Sequence, residues 1–438
     1  MSSTENYDIV VVGAGVLGVA TAYYLQKNSP NKSILLVDRL PAAGQGNTAM
    51  SAAAVRNMFA SSTNQLLTDS SVKFIEHIQE NLHFDLTFEK CGYLWLLSDK
   101  QFTSPSVKMW MQRMTASGIR YTAYDKHQLK KFIPSLNVDF TGDEEAKLMN
   151  LPEISHGLFG PDCGVLDPTK LVAFYLQEFT KLSKVKPRFG VNVTSLLLEA
   201  DPKLDLPGEP LVWQNKRVNG VRTANKELRA ETVVLATDAW TNKLLDPIGF
   251  DSETKAKKRQ LFVIHAADKK PLLDLLYTKG FSAKGSIPFT ILPSAGVYFR
   301  PQLQEKGFWI GCADKVGRAY DYVQTDSYAT AEMAYYENSI YPVLAKYFPV
   351  FQGARPVNSW GGGYNYSPDA IPFAYKESGF MVVNGTSGSG IMKADAVARI
   401  ADALYRGQPD ADLFGGRRMP SNALSIKDRK VEVESVII

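Results

Sequence analysis

The chain has 438 residues, 45% hydrophobic and 21% charged, with 49 lysines and arginines against 45 aspartates and glutamates. This is the composition of a folded globular protein with room for two or three domain-sized units. A net charge of +4 is too small an excess to point to nucleic acid or an anionic membrane. No apolar run reaches the ~18 residues of a spanning helix, and no basic stretch of a secretory leader precedes the first apolar run. Cys91, Cys163 and Cys312 are dispersed, which suits free thiols in a reducing compartment. A cytoplasmic protein is expected, with peripheral membrane association and oligomerisation left open.

The first expected strand, residues 9–12, is the β-branched run Ile9-Val10-Val11-Val12, suited to burial on both faces of a parallel sheet. Gly13-Ala14-Gly15-Val16-Leu17-Gly18 follows with the G-x-G-x-x-G spacing. Gly13 allows the tight turn, Gly15 lets backbone approach a pyrophosphate, and Gly18 lets the next helix lie close to the strand. That helix is expected to run to about residue 28, with its N-terminal N–H groups facing phosphates. A second strand, 34–37, ends at Asp38, about twenty residues beyond Gly18, where a carboxylate accepts ribose hydroxyls. Strand, turn, helix, strand and acid in this order read as a complete dinucleotide-binding unit.

Further along, Ala42 to Ala54 is a small-residue stretch leading to Val55-Arg56-Asn57. A helix is expected over 65–81, a strand over 92–97, and amphipathic helix over 103–133 until Pro134. Asp167 then reads as the N-cap and Pro168 as the first residue of a helix reaching residue 182. Residues 188–240 alternate as strands and end in Thr232 to Trp240. Strands are expected at 260–265, 296–300 and 308–311, helix within 330–347, and a strand at 380–383. Gly385-Thr386-Ser387-Gly388-Ser389-Gly390 is a second glycine-rich turn, followed by a helix from about 392 to 405. Strand, small residues and helix start make another set of N–H donors for a partly anionic ring system. His77, His83, His127, His156 and His265 have no metal-ligand spacing, so no metal site is expected.

The N-terminal motif with Asp38, Val165-Leu166-Asp167-Pro168, Val234 to Trp240, Gly296 to Pro301, Trp360 to Pro372 and Gly385 to Ile391 together resemble the FAD-dependent D-amino-acid-oxidase-like family. Its members include glycine oxidase, sarcosine oxidase, dimethylglycine dehydrogenase and dye-linked L-proline dehydrogenases. The resemblance covers nearly the whole chain. It implies an α/β (α+β overall) fold, with a discontinuous Rossmann-like FAD domain interleaved with a substrate domain on a curved mixed β-sheet. The expected division is 1–63, 155–245 and 355–415 for FAD, 64–154 and 246–354 for substrate, and 416–438 as a tail. Beyond the first glycine turn and Asp38, it places Arg39, Ser51, Ala52, Val193, Ala236, Thr237, Trp240, Gly361, Gly385, Ser387, Gly388, Gly390, Ile391 and Met392 around FAD.

Departures from the family inform as much. The positions that carry a covalent flavin link in some members match Ser51 and Gly362 here, so non-covalent FAD is expected. Trp309 stands where sarcosine oxidase has an oxygen-activating lysine, and Tyr364 where glycine oxidase has a carboxylate-binding arginine. Met392 matches a carboxylate-binding lysine, with Lys393 one residue beyond. The expected catalytic set is therefore Arg56, Tyr298, Arg300, Tyr364 and Lys393, with Arg56 anchoring a carboxylate or lying against the flavin, and Lys393 or Arg300 as second candidates for the anchor. The expected activity is FAD-dependent dehydrogenation of a small secondary amine or amino acid, of the L-proline or N-methyl amino acid type, by hydride transfer. The acceptor would be a dye, a quinone or a redox protein. An oxygen-using amino-acid oxidase, a non-catalytic flavoprotein assembly factor and an NAD-dependent dehydrogenase are the alternatives.

Overall fold

The computed structural model describes residues 3–267, 269–314, 318–320, 329–432 and 434–436. The chain opens with β1 (Ser3–Val12), α1 (Val16–Asn28) and β2 (Ile34–Val37), followed by β3 (Ala54–Val55), α2 (Ser62–Glu80) and β4 (Tyr93–Leu97). Then come β5 (Thr122–Asp125), β6 (His156–Gly160), β7 (Gly164–Val165) and α3 (Pro168–Leu182). β8 (Val193–Ala200), β9 (Lys216–Thr223) and β10 (Lys226–Leu235) precede β11 (Lys255–His265) and β12 (Phe289–Ile291). β13 (Val297–Gln302), β14 (Gly307–Cys312), β15 (Asn358–Tyr366), β16 (Phe373–Glu377), β17 (Phe380–Asn384) and α4 (Ala394–Tyr405) follow.

These strands make two large mixed sheets. The first runs β16-β17-β10-β1-β2, with β9 on β10 and β8 on β9; the second runs β15-β11-β14-β13-β12-β4-β6-β5. β1 lies parallel to both β2 and β10, and β10 parallel to β17. The β-branched run explains that central place. Ile9 and Val11 belong to one core cluster and Val10 and Val12 to another, so both faces of β1 are dry. α1, α2, α3 and α4 cover the first of these faces, and α1 is buried from Val16 to Gln26. The expected helix cap at residue 167 is present: Asp167 accepts from the N–H groups of Thr169 (2.8 Å) and Lys170 (3.4 Å).

Because the first sheet takes strands from 3–37, 193–235 and 373–384 and the second from 93–160 and 255–366, the chain passes repeatedly between them. Two of these passages, within 38–52 and 236–244, line the cavity described below. The expected continuous helix over 103–133 is not found. Helix Pro105–Ala116 stops at Gly118, whose φ of +72° is the left-handed conformation of a helix end, with Ile119 N–H donating to Met114 O at 2.9 Å. The chain then pairs as edge strand β5 on β6 before a short helix, Lys126–Phe132, capped by Asp125. The helix after the second glycine turn starts at Ala394, two residues later than expected. None of the described helices is long and apolar enough to cross a membrane, and the described residues contain no metal-binding cluster.

Candidate active site

A cavity of about 510 Å³ runs between the two sheets, from the end of β2 to Tyr364 on β15. Its outer end is the first glycine turn. A side chain on Gly13 (φ +101°) would overlap Ala236 O, and one on Gly18 would overlap Gly13 O. These two glycines lock strand, turn and helix together. Gly15 differs: an added Cβ would meet only Thr48 Oγ1 at 3.2 Å, and its φ of −69° suits any residue. The missing side chain leaves cavity space that a bound group can take. Asp38 closes this end, accepting from Ala14 N–H at 2.6 Å and Leu40 N–H at 2.8 Å. Arg39 lies over the Trp240 ring at 4.5 Å and forms the wall beyond it.

The middle of the cavity is bounded by the small-residue stretch on one side and the second glycine turn on the other. Asn47 donates to Asp238 at 2.7 Å and accepts from Gly363 N–H at 2.8 Å. Asp238 is pushed up to about 6 by burial. Asn384 and Asn365 donate to the Asp238 carbonyl at 3.2 and 2.9 Å, tying the turn after β10 to the turn after β17. Gly388 (φ +79°) makes close packing possible, because a Cβ there would overlap the Tyr364 ring.

An inner pocket of about 40 Å³ continues past Tyr298, Tyr364 and Ala52, which line both spaces, to Arg56, Phe59, Tyr93 and Phe289. Arg56 is buried and its charge faces the Phe59 ring at 3.7 Å. Its Nη1 donates to Met58 O and its Nη2 to Val436 O at 2.6 Å. Lys393 is fully buried, 4.8 Å from the same Phe59 ring, and its Nζ has no hydrogen-bond partner among the described residues. Burial lowers its ammonium to about 7 despite the field of Glu434. Tyr298 and Tyr364 are both held above the ordinary phenol range, chiefly by burial, and so remain neutral donors.

Most of the expected residues line these two spaces. Gly13, Gly15, Val16, Leu17, Asp38, Arg39, Ser51, Ala52 and Val193 do so, as do Ala236, Thr237, Trp240 and Tyr298. From the later segments Tyr364, Gly388, Gly390 and Ile391 border the large cavity, and Arg56, Ser387 and Met392 the inner pocket. Ala14, Gly18 and Gly385 instead lie inside their turns, and Gly361 stands one residue off the wall that Gly362 and Gly363 make. Arg300 is also displaced from the cavity. It shares a face of β13 with Tyr298, but its guanidinium donates to Ala52 O and stacks 4.2 Å from Trp309. That makes it a brace behind Ala52. Residues not anticipated include Asn47, Thr48, Phe59, Tyr93, Arg259, Phe289 and Glu434. Only Asn47 and Thr48, inside the small-residue stretch, carried a local signal.

These features fit FAD: an open backbone face at Gly15 with the start of α1 behind it, a carboxylate at the far end, and a second small-residue turn. The described lining offers no histidine or cysteine for a covalent bond to the flavin. Residues 8–404 match the family model described as FAD dependent oxidoreductase. FAD-dependent oxidoreductase domain-containing protein 1 of Xenopus laevis is 24% identical over 438 residues, 92% of this chain and 80% of that protein. Sarcosine oxidase subunit beta of Arthrobacter sp is 22% identical over 409 residues, 90% of this chain and 87% of that protein. The solved structure of L-proline dehydrogenase from P. horikoshii matches with a TM-score of 0.73 at 20% identity, covering 97% of each chain. At that identity the likeness is one of fold.

Proposed function

Because the chain belongs to the FAD dependent oxidoreductase family, we propose that it is a dehydrogenase of a small secondary amine or amino acid carrying a carboxylate. Its cofactor is FAD, which accepts a hydride from the carbon next to nitrogen. The large cavity would hold it, with Gly15 and the start of α1 at the pyrophosphate and Asp38 at the ribose. Tyr298 and Tyr364, at the junction with the inner pocket, would orient the substrate as neutral hydrogen-bond donors. The inner pocket would take the carboxylate.

The observation that carries this reading is the charge balance of the inner pocket. Below about pH 7, where Lys393 is charged, Arg56 and Lys393 bring two cations, Glu434 brings one carboxylate, and the nearby Asp369 is already paired with Arg429 at 2.6 Å. One positive charge is in excess in a buried space, and an anionic substrate would complete it. Relatives named sarcosine oxidase and dimethylglycine dehydrogenase support the substrate class. A dye, a quinone or a redox protein is favoured over oxygen as acceptor. Oxygen activation gains from a cation that stabilises developing superoxide, but Arg259, on the wall beside Tyr298, is paired with Asp314 at 2.9 Å, and the excess charge of the inner pocket would be matched by the substrate carboxylate.

Dye reduction by the purified yellow protein, screened against L-proline, N-methyl amino acids and amines lacking the acid, tests the reading. The acids should reduce the dye and the simple amines should not. Hydrogen peroxide formed in air as fast as substrate disappears would replace dehydrogenase by oxidase. Turnover of none of them would favour the non-catalytic flavoprotein.

A further inference from the structure

With FAD in the large cavity, the space left for substrate is the inner pocket, and about 40 Å³ is room for only a few waters. One wall of that pocket is supplied from far along the chain. Glu434 borders both the inner pocket and an outer cleft of about 1190 Å³ that includes Asp251, Glu253 and Tyr366. We propose that the stretch bearing Arg429, Glu432, Glu434 and Val436 is a removable wall of the substrate chamber, with Glu434 as its latch. The proposal rests on reading the inner pocket as the substrate chamber, and is independent of which amine is used.

The attachments divide by strength. Glu434, 3% exposed, accepts from Ala60 N–H and Ser61 N–H at 2.9 Å, from Ser61 Oγ at 2.9 Å and from Asn64 Nδ2 at 3.3 Å. These donors gather at the start of α2, where a carboxylate also meets the positive end of the helix. Arg429 is anchored to Asp369 at 2.6 Å and to Ile371 O at 2.9 Å, and lies over the Phe373 ring. Val436 is the plug. Its carbonyl accepts a hydrogen bond from Arg56 Nη2 at 2.6 Å, a donor that a substrate carboxylate would otherwise use, and its side chain packs against the core cluster that includes Tyr93, Phe289 and Tyr298. Releasing Glu434 and Val436 while Arg429 stays fixed frees Arg56 Nη2 and joins the chamber to the outer cleft.

Sulfite, which adds to flavin N5 and bleaches its absorbance, measures this opening without any amine. In the FAD-loaded protein the bleaching rate should reach a plateau with sulfite concentration, set by the opening rate. Glu434→Ala and deletion of 430–438 should each raise that plateau about tenfold or more, with Glu434→Gln between them and the wild type. Trypsin cleavage after Lys430, followed by mass, should rise in parallel in Glu434→Ala. Absence of a plateau in the wild-type protein, or a plateau common to every variant that retains FAD, would overturn the proposal. Failure of every amine in the dye screen would leave this result standing, so the two readings fail separately.

Discussion

The two ends of the cavity are built by different means. At the end proposed for the nucleotide, recognition would rest on backbone: a glycine turn, the start of α1 and one carboxylate within residues 13–38 line it. At the inner end it is made of side chains from distant segments, with Arg56, Tyr93, Phe289, Tyr298, Tyr364, Lys393 and Glu434 brought together by both sheets. The first end depends on backbone left open by the missing side chain of Gly15. The second depends on individual charges that no neighbour in sequence supports.

The sharpest way to break this comparison is Gly15→Val. Its backbone angles are ordinary, so the variant should fold, yet the side chain would fill the phosphate approach. Complete loss of the 450 nm absorbance with an unchanged apoprotein melting curve is expected; retention of FAD would show that the turn is not the binding element. Arg56→Met addresses the other end. Removing one charge-assisted partner should cost about 2–5 kcal/mol, some 30- to 5,000-fold in kcat/KM, on the best acid substrate with FAD still bound. Full efficiency in that variant would pass the anchor to Lys393.

Lys393 has its own signature. Burial lowers it to about 7, so its charge is present below that pH and lost as pH rises through it. A carboxylate without an amine, such as acetate, should bind about tenfold more weakly for each pH unit above 7, as read by perturbation of the flavin spectrum. Lys393→Met should flatten the profile, and a slope that persists in that variant would assign the titration elsewhere. The smallest effect should come from Asp167→Ala, which removes the N-cap of α3. About 1 kcal/mol of stability should be lost, a melting shift of roughly 1 °C, with neither FAD content nor kcat/KM altered. A change in either would mean the two ends are coupled through the scaffold.

The nucleotide end was legible because its causes are local. A β-branched run demands burial on two faces, and glycines at fixed spacing impose a turn within a few residues. The expected helix over 103–133 failed for the converse reason. Its apolar pattern allowed a helix, but Gly118 ended it and the free edge of β6 recruited Thr122–Asp125 as a strand. Arg300 shows a finer limit: alternation along β13 put it on the correct face, but the carbonyl of Ala52 claimed its guanidinium.

By itself, then, the sequence determined the first βαβ unit, the second glycine turn, the cap of α3 and the outer end of the cavity, because each follows from backbone conformations set within a few residues. Only the tertiary structure decided the inner pocket. Phe59, Tyr93, Phe289 and Glu434 carry no motif, and the burial that leaves Lys393 unpartnered and the contact between Arg56 and Val436 exist only once segments more than 300 residues apart are packed together. Charge and exposure in that pocket are properties of the packing, not of any stretch of the chain.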